Sequence, residues 1–194
     1  MLHLPRYEPV DWVAPGPGDV LFDVGAYVGW YAVRAARAVG PSGRVVAVEP
    51  DPHNAAQLEK TLSLNHLDNV CVVRNAAWSV TGPVGWHASH LPVWHRVEPV
   101  QGAATVEAIT VDDLVAALHL SRVDWLKLDV EGGEVEVLRG AMRTLRDFRP
   151  VLFIEVHNTL PALRSLLEPL GYSVELASFD VPPEKHGWLR MRPA

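Results

Sequence analysis

The chain has 194 residues, of which 48% are hydrophobic and 21% charged, and its formal net charge is -6. This composition is that of one globular domain and excludes a collagen-like, disordered or coiled-coil chain. The acidic balance leaves no basic excess to neutralise phosphates, so a nucleic-acid substrate is disfavoured. The single cysteine, Cys71, excludes an internal disulfide framework.

The beginning of the sequence shows no targeting signal. The segment MLHLPRYEPVDW has no basic stretch followed by an apolar one, which is the pattern of a secretory signal. Together with the free cysteine, this predicts a cytoplasmic protein. Residues 75–95 contain no Asp, Glu, Lys or Arg, but glycines, prolines and histidines interrupt them, so we expect no membrane span.

In the first part of the chain, short β-branched runs alternate with segments of helical spacing. This pattern is typical of βαβ units around a parallel sheet. Asp51 and Pro52 suit the N-cap and the first position of a helix. The prediction is strands at residues 20–24, 44–48 and 70–74, separated by helices at residues 30–39 and 52–65.

Between residues 75 and 109 the periodicity fails, and we expect an irregular insert with a short strand at residues 106–109. Regular elements then resume. Helices are predicted at residues 110–120, 134–145 and 160–170. Strands are predicted at residues 123–130, 151–157, 172–177 and 188–191, the last of them antiparallel. No linker divides the chain, so residues 1–194 are expected to form a single domain.

The first predicted strand runs into the turn DVGAYVG, where Gly25 and Gly29 permit a tight bend and let a ligand approach the backbone. A dinucleotide-binding turn would carry glycine in place of Asp23, which instead favours a cationic ligand over a pyrophosphate. The second strand is followed by Glu49, placed to accept hydrogen bonds from two ribose hydroxyls. Taken alone, such a turn is also compatible with a purely structural role.

The fourth and fifth predicted strands each carry two polar side chains on one face, because side chains alternate along a strand. If these strands pair in matching register, Lys127 meets Glu155 inside the sheet and Asp129 meets His157 at its edge. We expect the inner pair to be structural. In the outer pair we expect His157 to act as a base that Asp129 supports. The candidate catalytic residues are Asp129 and His157, and Glu155, which shares the face of His157, is included as a third candidate; a structural histidine is the alternative for His157.

Aromatic and histidine side chains accumulate in the expected insert: Trp78, Trp86, Trp94, His87, His90 and His95. Zinc sites favour defined pairs with at least three converging ligands, so we expect no metal ion there, and a metal-free site overall. The aromatic rings favour a lid over the acceptor, since they offer apolar faces with a polar tip. An ordinary packed loop is the alternative.

From about residue 19 to residue 171, the chain resembles the FkbM family of S-adenosylmethionine-dependent methyltransferases. The matching segments are DVGAYVG, GRVVAVEPDPHN, NHLDNVCVVRNAAWS, TVDDLV, DWLKLDVEGGEVEVLRGA and VLFIEVH. The resemblance implies a class I methyltransferase (Rossmann-like) α/β fold, with a seven-stranded, mostly parallel sheet and helices on both faces. It also implies S-adenosylmethionine as the methyl donor and a hydroxyl of a sugar, polyketide or other small molecule as the acceptor.

Carried over residue by residue, the resemblance also implies the cofactor contacts. The turn would hold the methionine end of the cofactor, Glu49 its ribose, and Asn75 and Ala76 its adenine. The implied cofactor-binding residues are Asp23, Gly25, Ala26, Tyr27, Gly29, Glu49, Pro50, Asn75, Ala76 and Asp129. Three positions depart from the family's usual residues: Tyr27 replaces Asn, Val80 replaces Asp and Gly133 replaces Ala.

Three other functions stay open from the sequence. An N-methyltransferase, including one acting on RNA, is disfavoured because the sequence DVEG at residues 129–132 stands where such a site often has an Asn/Asp-Pro-Pro-Tyr-like strand end. A nucleotide-dependent oxidoreductase is disfavoured by Asp23, and a silent binding module by the intact Glu49 and Asp129. We therefore expect an O-methyltransferase with a small-molecule or carbohydrate acceptor, as a monomer or an oligomer.

Overall fold

The computed structural model describes residues 9–87, 96–98, 104–179 and 186–194. A short 3-10 turn precedes the first strand, and the first half of the sheet follows in the predicted order. These elements are β1 (Val20–Val24), α1 (Trp30–Val39), β2 (Arg44–Val48), α2 (Pro52–Leu64) and β3 (Val70–Val73). The Asp51 side chain accepts hydrogen bonds from the backbone N–H groups of His53 and Asn54, which confirms it as the N-cap of α2.

The segment after β3 forms a second, smaller sheet, so the expectation of an irregular insert is wrong. Its strands are β4 (Ala76–Ala77), β5 (Gly82–His87), β6 (Arg96–Glu98) and β7 (Ala104–Ile109). They lie in the order β4-β7-β5-β6, with β5 antiparallel to both of its neighbours. The sequence conceals β5 because Gly82, Pro83 and Gly85 have low strand propensity, and here the pairing with β7 overrides it.

The second half of the main sheet follows, again close to the predicted order. Its elements are α3 (Val111–Ala117), β8 (Trp125–Leu128), α4 (Glu134–Arg139), α5 (Met142–Asp147), β9 (Val151–His157), α6 (Leu160–Leu167), β10 (Tyr172–Phe179) and β11 (His186–Pro193). A single helix was expected at residues 134–145, but it is divided at Gly140. A Cβ there would lie 2.1 Å from the carbonyl oxygen of Trp78, so the backbone that directly follows β4 occupies that space.

The main sheet has seven strands in the order β10-β11-β9-β8-β1-β2-β3. Its central strands are parallel, and β11 runs antiparallel to both β9 and β10. The predicted seven-stranded, mostly parallel sheet is therefore confirmed. The chain builds outward from β1 in one direction and then continues with β8 on its other side. Ligands of open α/β sheets bind outside the carboxyl ends of the strands at such a switch point.

The two largest hydrophobic clusters of the core lie on opposite faces of the main sheet. Leu21 of β1 packs with α1 and α2, whereas its neighbour Phe22 packs in the cluster that contains residues of α3 to α6. This alternation follows from the opposite directions of successive side chains in a strand. It confirms helices on both faces. None of the described helices is long and apolar enough to cross a membrane.

Trp78 belongs to the small core of the second sheet, where it is buried against Ala76, Val84 and Ala108. It is therefore a packing residue and not part of an acceptor lid. A Cβ on Gly133 would lie 2.9 Å from the Trp78 ring, which explains glycine where the family usually has alanine. The lid hypothesis otherwise concerns Trp86 and Trp94. The side chains of Trp86 and Trp94 lie outside the described part of the structure, and so do those of His87, His90 and His95. This part of the hypothesis stays a prediction.

Candidate active site

The turn after β1 is tied to two neighbouring strands by backbone contacts. The N–H groups of Gly25 and Ala26 donate to the carbonyl oxygen of Val48, at 3.0 and 3.1 Å. Gly25 has a φ of +75°, and a Cβ at this position would lie 1.8 Å from the carbonyl oxygen of Asp129. Only glycine meets both conditions, so the turn is held between the ends of β2 and β8.

The buried ion pair of Lys127 and Asp23 supports this turn. The ammonium of Lys127 lies 3.0 Å from Oδ1 of Asp23 and donates a 2.7 Å hydrogen bond to the carbonyl oxygen of Gly25. The Asp23 carboxylate is completely buried. Burial raises the pKa of Asp23, and the nearby Lys127 charge offsets part of that shift. Asp23 thus acts on the turn through Lys127, while direct contact of Asp23 with a cofactor stays a prediction.

The expected pairing of Lys127 with Glu155 is wrong. In the register of β8 and β9, Lys127 lies opposite Phe153 and Leu128 lies opposite Ile154. The strands are offset by two residues from the assumed register, which keeps side chains on the expected face but changes their partners. The next position along, Asp129, is therefore placed beside Glu155, and their carboxyl groups share a hydrogen bond.

Glu49 follows β2 and is fixed by donors from both sides. Its Oε2 accepts a hydrogen bond from the N–H of Tyr27 at 2.9 Å, and its Oε1 accepts one from the N–H of Asp51 at 3.0 Å. Burial raises the pKa of Glu49, and these backbone donors lower it in part. Nδ2 of Asn54 adds a longer contact to Oε1 at 3.5 Å. A carboxylate has about four acceptor positions, so Oε2 keeps capacity for a ribose hydroxyl.

The predicted adenine side lies where the two sheets adjoin. Asn75 follows β3, and its Nδ2 donates a 3.2 Å hydrogen bond to the carbonyl oxygen of Glu107 in β7. Ala76 begins β4 and is buried, and Pro50 is partly buried after Glu49. The small sheet is thus anchored beside the end of β3. The contacts of Asn75, Ala76 and Pro50 with adenine or ribose stay predictions.

Six titratable side chains converge at the carboxyl ends of β8 and β9, and we call them the rim cluster: Asp129, Glu131, Glu134, Glu155, His157 and His186. Nε2 of His186 lies 2.7 Å from Oε1 of Glu155. Burial, the Asp129 charge and the hydrogen bond to Asp129 raise the pKa of Glu155 to about 10. At neutral pH, the acid pair of Glu155 and Asp129 therefore holds one proton between its two carboxyl groups.

His157 is held mainly by Glu134, a residue that the sequence reasoning missed. Its Nδ1 lies 2.9 Å from Oε1 of Glu134, while its Nε2 lies 3.4 Å from Oε2 of Glu131. Burial lowers the pKa of His157, but the hydrogen bond with Glu134 and the nearby carboxylate charges outweigh it, so the net shift is upward. Asp129 supports His157 through its charge alone, since the hydrogen bond that orients the ring comes from Glu134.

Glu134 and His186 could not be singled out from the sequence. An acidic residue in the first turn of a helix, such as Glu134 in α4, is common because it stabilises the helix dipole. His186 lies beyond the segments that carry the family resemblance, and only the pairing of β11 with β9 brings it opposite His157.

Two overlapping groups within the described residues have the side-chain types and spacing to hold a divalent ion. In each group, the candidate ligand atoms lie within 4.8 Å of one another. The groups are Glu155, His157 and His186, and Asp129, Glu131 and His157. Mixed carboxylate and imidazole donors suit transition metals better than Mg²⁺ or Ca²⁺. The expectation of a metal-free site stays a prediction.

The strand order, the glycine turn after β1 and the carboxylate after β2 together define a class I methyltransferase fold. The sequence profile of the Methyltransferase FkbM domain matches residues 23–174. The chain belongs to this family, and the resemblance noted in its sequence is confirmed.

Two curated relatives are methyltransferases, one named for a hexuronic acid and the other for 2-O-methylation. The chain is 30% identical over 141 residues to the hexuronic acid methyltransferase AglP of Haloferax volcanii, covering 72% of this chain and 56% of that protein. It is 26% identical over 151 residues to the 2-O-methyltransferase NoeI of Sinorhizobium fredii, covering 69% of this chain and 61% of that protein. The chain thus spans little more than half the length of these relatives.

Solved structures show the same fold at low sequence identity. An FkbM methyltransferase from Methylobacillus flagellatus superimposes with a TM-score of 0.68 at 20% identity, covering 92% of this chain and 45% of that chain. Fibrillarin of Aeropyrum pernix, solved with natively bound S-adenosyl-L-methionine, gives a TM-score of 0.59 at 17% identity, covering 97% of this chain and 70% of that chain.

Proposed function

We propose that this chain transfers a methyl group from S-adenosylmethionine to a hydroxyl oxygen of a neutral, sugar-like acceptor. The observation that carries the proposal is the position of Glu49. Its buried carboxylate lies beside the glycine turn, on the sheet edge that also holds the rim cluster. A donor site and an acceptor site can therefore adjoin at the switch point of the sheet.

The residues at this edge fit the proposed cofactor. Glu49 retains acceptor capacity for a ribose hydroxyl, and Asn75 and Ala76 border the neighbouring space for adenine. The backbone of the turn at residues 23–29 lies close to the carbonyl oxygen of Asp129. Because that oxygen is an electronegative acceptor, this position favours the positively charged end of the cofactor over a phosphate. When bound, S-adenosylmethionine supplies an electrophilic methyl group on a sulfonium.

The acceptor class follows from the relatives and from the charge of the rim cluster. One relative is named for a hexuronic acid and another for 2-O-methylation, which supports a carbohydrate acceptor. Four of the six rim-cluster side chains are carboxyl groups, and Lys127 is already paired with Asp23. An anionic uronate would meet like charges in this cluster, so an uncharged acceptor molecule is favoured.

The rim cluster also supplies a place for the acceptor's proton. Nε2 of a neutral His157 would take that proton as the acceptor oxygen bonds to the methyl carbon, while the bond from that carbon to the sulfonium sulfur breaks and a neutral thioether leaves. Positioning of the two substrates contributes more, because well-oriented reactions gain about 7–11 kcal/mol from proximity. The cytoplasmic location and the oligomeric state stay predictions.

The test is transfer of radiolabelled methyl from S-adenosylmethionine to a panel of acceptors. The panel contains neutral methyl glycosides, a methyl glucuronide, a catechol and a bulk RNA. We expect O-methylation of a neutral glycoside, identified by mass spectrometry of the product. Methylation of a base nitrogen in RNA, or preference for the glucuronide, would contradict the proposal. Cofactor binding with no transfer to any acceptor would support a silent binding module instead.

A further inference from the structure

We propose that Glu134 is the positioning residue of His157, holding its ring as the Nδ1–H tautomer with the Nε2 lone pair directed into the rim cluster. The use of that lone pair in catalysis rests on the proposed function. The positioning itself rests only on contacts within the chain.

Glu134 is itself rigidly held. Its side chain is fully buried, and Oε1 accepts a 2.8 Å hydrogen bond from the N–H of Gly132 in addition to the 2.9 Å contact with His157. Its Oε2 accepts a 2.7 Å hydrogen bond from the hydroxyl of Thr159. These contacts come from the turn before α4 and from the segment after β9. Glu134 therefore joins the two segments that flank the rim cluster.

The chemistry of the pair decides the tautomer. A carboxylate oxygen accepts and cannot donate unless protonated, so Nδ1 of His157 must carry the hydrogen at 2.9 Å. In a neutral ring, Nε2 then carries the lone pair. His157 can thus accept a proton only at the nitrogen that faces Glu131 and Glu155, and not at the nitrogen that faces Glu134.

The other charged groups around His157 cannot replace Glu134. Glu131 and Glu155 approach Nε2, at 3.4 and 4.0 Å, and they act on the nitrogen that must stay available. Asp129 shares a hydrogen bond with Glu155 and lies 3.8 Å from the Lys127 ammonium. The His186 ring packs edge-on against the His157 ring, with 5.3 Å between the ring centroids. The charges of Glu134, Glu131 and Asp129 all favour the protonated ring, but only Glu134 contacts Nδ1 among the described residues.

The proton balance is complete within the dyad. A neutral His157 takes one proton from the acceptor hydroxyl at Nε2 and becomes an imidazolium. Glu134 stays ionised and stabilises that charge through the Nδ1–H hydrogen bond. The proton leaves to solvent from Nε2 in the next step, and no oxidant, reductant or metal is required.

The test uses long-range ¹H–¹⁵N spectra of histidine rings in the full chain, without cofactor and after treatment with EDTA. The His157 signals are assigned by their loss in His157→Gln. We expect wild type, above the pKa of His157, to show a protonated Nδ1 and an unprotonated Nε2. In Glu134→Gln, the loss of the charge should lower the apparent pKa of His157 by about one unit or more. Glu136→Gln, two residues further along α4, is the matched control and should leave both readouts unchanged.

Two outcomes would overturn the proposal: a wild-type ring protonated at Nε2, or a Glu134→Gln variant with an unchanged His157 pKa. Glu134→Ala removes the acceptor altogether and should release the tautomer preference. If that variant fails to fold, the glutamine variant still decides the matter.

A second arm measures methyl transfer to the neutral glycoside that the acceptor panel identifies. Glu134→Gln should lower kcat by about 10- to 100-fold with little change in the acceptor KM, and move the pH inflection of kcat downward. The NMR arm needs no turnover, so failure of the proposed function and failure of the positioning role are distinguishable.

Discussion

The backbones of Gly25 and Asp129 touch, so closely that a Cβ on residue 25 would lie 1.8 Å from the Asp129 carbonyl oxygen. Gly25 belongs to the turn in which we propose the cofactor binds, and Asp129 belongs to the rim cluster. One backbone contact therefore sets the separation between the donor side and the acceptor side of the site.

Gly25→Ala should destabilise the fold by about 3 kcal/mol or more, because the methyl group overlaps a backbone oxygen and the residue must keep a positive φ. Gly171→Ala is the matched control. Gly171 has a φ of +78°, close to that of Gly25, but its Cβ would meet only the Arg149 side chain at 3.5 Å. It should cost about 1 kcal/mol. Urea unfolding of both variants measures the difference, and equal losses would show that the backbone contact is unimportant.

Glu49→Ala should weaken binding of S-adenosylhomocysteine by roughly 1–3 kcal/mol, the scale of leaving buried polar partners unmade. Isothermal titration calorimetry on the purified chain is the measurement. Glu59→Ala provides the control, since Glu59 is paired with Arg74 on the exposed side of α2. Wild-type affinity in a folded Glu49→Ala protein would remove this carboxylate from the cofactor site.

Glu155→Gln should stabilise the protein at neutral and mildly alkaline pH. The folded pKa of Glu155 is about 10, well above its ordinary value of 4.5, so the folded state holds a proton that the unfolded state releases. Wild-type stability is therefore lost as pH rises from about 4.5 towards 10. The amide mimics the protonated acid without this loss. We expect a gain of about 1–3 kcal/mol at pH 7.5 and little at pH 4.

Denaturant unfolding of wild type and Glu155→Gln across this pH range measures that gain. Glu168→Gln is a suitable control, because Glu168 lies at the end of α6, away from the rim cluster. A constant difference between Glu155→Gln and wild type at all pH values would contradict the shifted titration of Glu155.

The rate of methyl transfer should rise with pH through the pKa of His157. That pKa is raised, so the inflection should lie above the ordinary value of about 6.5. Single-turnover measurements with saturating acceptor compare wild type, His157→Ala and Asp129→Asn. We expect His157→Ala to lose the inflection and Asp129→Asn to keep it at a shifted pH. An alanine variant with the wild-type rate and profile would make His157 structural.

Methyl transfer should survive EDTA, as expected for a site in which side chains move the proton. The experiment is informative because two groups of carboxylates and imidazoles lie close enough together to bind a metal ion. Complete loss of activity, with recovery on adding Mn²⁺ or Mg²⁺, would assign the rim cluster to a metal ion that orients the acceptor oxygens. Dialysis against metal-free buffer is the control for unspecific effects of the chelator.

Most regular elements follow from local sequence, because a strand or helix with one buried face must repeat its apolar residues at a fixed period. β1, α1, β2 and β9 have the predicted boundaries. The glycine turn and Glu49 were identifiable for a related reason, since both lie where a predicted strand ends. The family's motifs added the cofactor and the type of reaction.

Only the tertiary structure decided the partners of the catalytic candidates. A register offset of two residues leaves every side chain on its expected face, so alternation could not distinguish Lys127 opposite Glu155 from Lys127 opposite Phe153. The small sheet was not predicted because glycine and proline residues interrupt the alternating pattern that identifies a strand. The contact of Glu134 with His157 joins residues 23 positions apart on separate elements, and no local pattern specifies a hydrogen bond that forms only when α4 packs against β9.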